Sequence, residues 1–194
     1  MARLFSIKPG ITFKGREFRG LRGWAGKPLH PPLTDFPIAC YVLAAVFDVI
    51  SYLTGSRDFF VAATYVVVAG ALVSVATALT GFWDWWKGLE RVPSGRARHN
   101  QVWRTANWHM AVMLTVTAIV LLDIGLRLAQ FDEAYPRFST LVLSVLAAAL
   151  VAYGATYGGS LVFDYQFNVE TLEGSTVWDE TEKDQLPGAK GRKG

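Results

Sequence analysis

Cysteine is nearly absent from this chain: Cys40 stands alone. It lies within a long apolar run, so an intrachain disulfide and any site built on cysteine pairs are excluded, and it reads as a small packing residue. Short-spacing signatures are missing too. No CxxC, HxxxH, phosphate-loop or GxSxG pattern occurs, which removes the commonest sequence marks of metal centres, nucleotide sites and hydrolases. Histidine is scarce, with only His30, His99 and His109. Acidic residues are scarce at the start, where Glu17 alone faces Arg3, Lys8, Lys14, Arg16, Arg19, Arg22 and Lys27.

Charge is also missing from most of four long stretches, residues 36–53, 59–82, 106–126 and 138–163. At a rise of about 1.5 Å per residue, each is long enough to cross the hydrocarbon core of a bilayer. The 19 basic and 16 acidic residues crowd into the N-terminal arm, one internal loop and the tail. This order of residues predicts an all-α integral membrane bundle of four transmembrane helices rather than a soluble core. The expected organisation is a basic membrane-surface arm over residues 1–28, a four-span membrane domain over 29–163 and a flexible polar tail over 164–194. The arm has no apolar core of signal-peptide length and is expected to be retained. Its aromatic and aliphatic residues alternate with basic ones, which suits an anionic membrane surface at about 1 kcal/mol per basic side chain and not a nucleic acid. The basic arm and the basic loop of residues 87–104 place both termini in the cytoplasm by the positive-inside rule. The expected location is the inner (cytoplasmic) membrane, crossed several times.

Local patterning adds detail. Thr34 and Asp35 are natural capping residues ahead of the first apolar run, and Pro37 suits a first helical turn. Gly70, Ser74, Thr77, Gly81 and Asp84 recur at spacings of four and three on one face, where small residues let helices approach closely in lipid. The tryptophans of Phe82-Trp83-Asp84-Trp85-Trp86-Lys87 fit a headgroup-level belt. His109, Met113, Val116, Val120, Asp123 and Arg127 form a second stripe, with Asp123 and Arg127 spaced for an ion pair. Ala147, Val151, Gly154, Gly158, Leu161 and Tyr165 form a third.

Four alternating spans bring His30, Asp35, Asp84, His109 and Tyr165 to one end. Ionisable groups at membrane depth are costly unless paired, so some of these should converge. Several chemistries stay open. His30, Asp35, Asp84 and His109 could hold a metal ion, His30 and His109 could ligate a haem b, and carboxylate with imidazole could pass protons. A histidine at a bundle end can equally be a hydrogen-bonded clamp that fixes helix positions. His99, in a basic loop, reads as a solvated surface residue. Asp48 and Asp123 belong to the opposite half, with polar partners or Arg127.

The segments His30-Pro-Pro-Leu-Thr-Asp35-Phe-Pro-Ile38, Ala78-Leu-Thr-Gly81-Phe-Trp-Asp84-Trp85, His109 and Gly158-Gly-Ser-Leu-Val162 occur in this order. Together they resemble the Domain of Unknown Function 2231 family over about residues 26–169. That resemblance implies a small four-helix membrane protein in redox company, since some members are joined to or encoded with Rieske-type iron–sulfur domains. Many members have histidine where this chain has Asp35 and Tyr165, which leaves His30 and His109 here. The expected function is an accessory or anchoring subunit of a redox or photosynthetic-type membrane complex, with lipids and other membrane subunits or further copies as partners. The alternative is a small haem b or metal-binding electron carrier using His30 and His109; a proton-linked transporter is a third. No enzyme constellation is evident.

Overall fold

The computed structural model describes residues 20–23, 28–89, 100–133 and 136–169. Most of the basic arm, the middle of the basic loop with His99, and nearly all of the polar tail lie outside the described residues. Four helices follow one another: α1 (His30–Thr54), α2 (Arg57–Leu89), α3 (Gln101–Ala129) and α4 (Phe138–Phe163). All four are long and apolar enough to cross a membrane.

The first helix starts earlier than the sequence suggests. Leu29, not Thr34 or Asp35, is its N-cap, and it contributes no side-chain bond. The prolines at its opening, Pro31 and Pro32, occupy the first turn, where a missing N–H goes unnoticed. Pro37 therefore sits two turns inside α1 and would leave the Leu33 carbonyl without its helical donor. That carbonyl accepts instead from the Thr77 hydroxyl of α2 at 3.2 Å, a proton shared with the Val73 carbonyl at 3.1 Å. Thr34 turns its hydroxyl to the Pro31 carbonyl, and Asp35 is exposed. A left-handed Gly55 ends α1 with φ +70°, a conformation glycine adopts freely. The third helix also begins ahead of its apolar run, at an Asn100 cap whose side chain accepts from the Trp103 N–H at 2.7 Å.

The helices alternate in direction around a four-sided bundle. α1 packs on α2 and α4, and α3 packs on α4 and α2. α1 and α3 thus run the same way across one diagonal. The small-residue stripe of α2 faces α1 throughout. The backbone of Gly70 meets Cys40 and Tyr41, Ser74 bonds the Tyr41 hydroxyl at 2.6 Å, and Thr77 and Gly81 meet His30. The α4 stripe faces α3 in the same manner, with Gly154 against Val112 and Met113, and Gly158 against His109. The core between these faces holds Tyr41, Ala44, Ala63, Val67, Val116, Val120, Ala147 and Val151. Each span buries only 28–33% of its apolar window inside the bundle, so most of its apolar surface points outward, as a lipid-facing helix requires. Trp83 and Trp86 stand half-exposed at the end of α2, with the Lys87 ammonium 5.9 and 5.3 Å from their ring centres.

Candidate functional site: two histidines on one diagonal

His30 opens α1 and His109 lies two turns into α3. Each reaches sideways to the neighbouring antiparallel helix. His30 Nδ1 lies 2.9 Å from the Thr77 carbonyl of α2, and His109 Nδ1 lies 2.9 Å from the Gly154 carbonyl of α4. A carbonyl can only accept, so in both rings Nδ1 carries a proton, and the neutral imidazole then keeps its lone pair on Nε2. Nε2 of neither ring has a hydrogen-bond partner among the described residues.

A glycine admits each ring. A Cβ on Gly81 would stand 2.6 Å from His30 Cε1, and one on Gly158 would stand 3.2 Å from His109 Cε1. In both cases the accepting carbonyl belongs to the residue four before the glycine. The two hairpins, α1–α2 and α3–α4, therefore repeat one device: a histidine laid on a glycine and bonded to the backbone one turn earlier.

The repeat continues at the other end of the bundle. Asp48 lies 18 residues after His30, and Arg127 lies 18 residues after His109. Eighteen residues make five full turns, so each charged residue shares its histidine's helix face about 27 Å further along. Asp48 and Arg127 meet across the diagonal, both Asp48 oxygens accepting from the two terminal nitrogens of the guanidinium. Arg127 Nε also donates to Asp123 Oδ2 at 2.8 Å, and all three residues are at most 1% exposed. Because α1 and α3 are parallel, the faces that meet at Asp48 and Arg127 carry His30 and His109 at the other end of the bundle.

The other residues read as ligands go elsewhere. Asp84 is buried and accepts the Leu21 N–H at 2.6 Å, while its own carbonyl accepts from Asn168 Nδ2 at 3.0 Å. It thus pins the segment before α1 and the segment after α4 to the end of α2. Asn168 holds φ +61°, which asparagine tolerates, and the turn there sets the Phe167 ring against Gly88. Asp35 is exposed, and Tyr165 is half-buried with its N–H on the Ser160 carbonyl. Among the described residues, no three His, Cys, Asp or Glu side chains gather closely enough to hold a metal ion. His30, Asp35, Asp84 and His109 form no such group; the two histidines share one end of the bundle, each bonded to its neighbouring helix.

Sequence left Asp48 with polar partners or Arg127 and put Gly81 and Gly158 on helix faces; the two-point bond to Arg127 and the seat of each histidine on its glycine were not legible there. The equal 18-residue spacing was the signal that could have revealed them. No curated protein matches the chain, and no solved structure matches it. The family model described as predicted membrane protein (DUF2231) matches residues 26–171, a span that takes in all four helices and both histidines. The chain belongs to that family of multi-pass membrane proteins.

Proposed function

We propose that this protein is a redox-type membrane subunit whose bundle holds a haem b through Nε2 of His30 and Nε2 of His109. One observation carries the reading: both imidazoles commit Nδ1 to a backbone carbonyl, and Nε2 of neither has a partner among the described residues, on parallel helices at one end of the bundle. That hydrogen bond fixes ring orientation and raises ligand basicity, as it does for metal-bound histidines generally. Gly81 and Gly158 fit the same role, because neither presents a side chain where the ring must lie. A bound haem would supply one-electron chemistry. The chain's own residues would hold it, orient it and keep it at the end of an apolar bundle. Thr80 adds a weak contact to His30 Nδ1 at 3.4 Å.

A second reading rests on the same hydrogen bonds. Each links two helices, so the histidines serve as clamps in an accessory or anchoring subunit whose outward apolar and aromatic faces meet other membrane subunits. The reduced-minus-oxidised visible spectrum of detergent-purified protein from haem-replete cells separates the two. A b-type spectrum that vanishes in His109→Ala, with the protein still inserted, supports ligation. A colourless, metal-free preparation leaves the clamp.

A further inference from the structure

The buried group at the other end of the bundle does not balance its charge. Asp48, Asp123 and Arg127 are 0%, 1% and 0% exposed, two carboxylates against one guanidinium. Asp48 takes both terminal nitrogens of Arg127, and Asp123 receives only Nε on Oδ2. Asp123 Oδ1 is buried with no hydrogen-bond donor among the described residues.

Nothing around it offers a second positive charge among the described residues. From α2, the Phe60 ring faces the guanidinium at 5.8 Å, and Thr64 turns its hydroxyl to the Phe60 carbonyl. On α1, Ser51 donates to the Ser56 carbonyl; on α4, Thr140 and Ser144 donate to the Arg137 and Leu141 carbonyls. Gln130, beyond α3, is neutral and buries an unpartnered Oε1. Arg57 is exposed and donates to the Phe131 carbonyl, while Arg137 is exposed and pairs with Glu133. Asp58 is exposed.

An uncompensated charge in this setting costs several kcal/mol, and a carboxylate there relieves it by taking up a proton. We propose that this triad is a proton-binding site that holds one proton on Asp123, leaving Asp48 and Arg127 as the ion pair. The proton makes the group neutral and gives Oδ1 a hydrogen to donate. It makes the charge state of this end a bound-ligand state, with Asp123 the loading position.

Infrared spectroscopy of the full chain in detergent at neutral pH tests this. Wild-type protein should show the carbonyl stretch of a protonated carboxylic acid, shifted by carbon-13 aspartate labelling. Asp123→Asn should remove one acid per chain. Asp48→Asn should remove it as well, although Asp123 remains, because Arg127 then has one carboxylate to balance. A merely structural Asp123 would not respond to a change at Asp48. Absence of the band in the wild type, or its survival in Asp123→Asn, overturns the proposal. So does a sodium- or potassium-dependent rise in Tm, lost in Asp123→Asn, in a protein without the band. Asp84→Asn, which changes the buried aspartate at the other end of the bundle, should leave the band in place, so the assignment holds even if a triad variant folds poorly.

Discussion

Single atoms decide how closely these helices approach. A Cβ at Gly81 would enter the space of an imidazole that is already tied to the Thr77 carbonyl and cannot swing away without losing that bond. Gly158 leaves 3.2 Å to His109, a tighter fit than usual but one a small shift can absorb, and a Cβ at Gly159 meets nothing within 4 Å. Thermal stability in detergent should therefore fall most for Gly81→Ala, by about 1–3 kcal/mol for overpacking. It should fall less for Gly158→Ala and stay flat or rise slightly for Gly159→Ala. Equal losses at all three positions would show that the histidine contacts do not govern them, since helix propensity alone would give a gain at each. Arg127 is the other decisive residue. Arg127→Met would strand the buried carboxylate of Asp48, and a loss of about 3–5 kcal/mol is expected in denaturation, the usual cost of removing one partner from a buried pair. A loss under 1 kcal/mol would mean that water enters this end freely.

At the scale of the helix, α1 carries a break that α2 repairs. Pro37 removes the donor for the Leu33 carbonyl, and Thr77 supplies one from the neighbouring helix while it also bonds its own Val73 carbonyl. Thr77→Val should cost about 1–2 kcal/mol by leaving that carbonyl unpaired in an apolar setting. Combining it with Pro37→Ala should recover most of the loss, since the restored N–H satisfies Leu33 within α1. A double-mutant cycle read by unfolding in detergent measures this coupling directly. Additive effects would mean that Leu33 finds a donor elsewhere. The apolar run was easy to see in sequence, but its beginning was not. Thr34 and Asp35 looked like caps because their residue types suit that role, yet Pro31 and Pro32 extend the helix backward to His30. The cost of two prolines is small in a first turn, and the extension lifts His30 into register with Gly81.

For the molecule as a whole, alternating helices put the start of α1 and the end of α4 on the same side, with the histidines; the buried triad lies at the opposite end. The basic arm and the basic loop of residues 87–104 belong to the histidine side in the chain's order, and on the positive-inside rule that side should face the cytoplasm. A reporter fused after Gly194 should be active only in the cytoplasm, and one inserted in the turn at Gly55 should be active only on the other side. The reverse result would place the histidines at the outer surface.

Composition and the order of apolar and charged residues determined four spans, the small-residue faces and the Asp123–Arg127 pair. Each follows from local physics: the width of a bilayer, the pitch of a helix, and the four-residue reach of neighbouring side chains. Which helix each small-residue face meets, and what lies on each glycine, was decided only by tertiary packing. Asp48 and Arg127 are 79 residues apart, and Asp84 could have joined the histidines as readily as the backbone of Leu21. One-dimensional spacing shows that two groups share a helix face or an end of the bundle. Which diagonal closes, and which groups touch across it, depends on how all four helices fill the space between them, and that is a property of the assembled bundle.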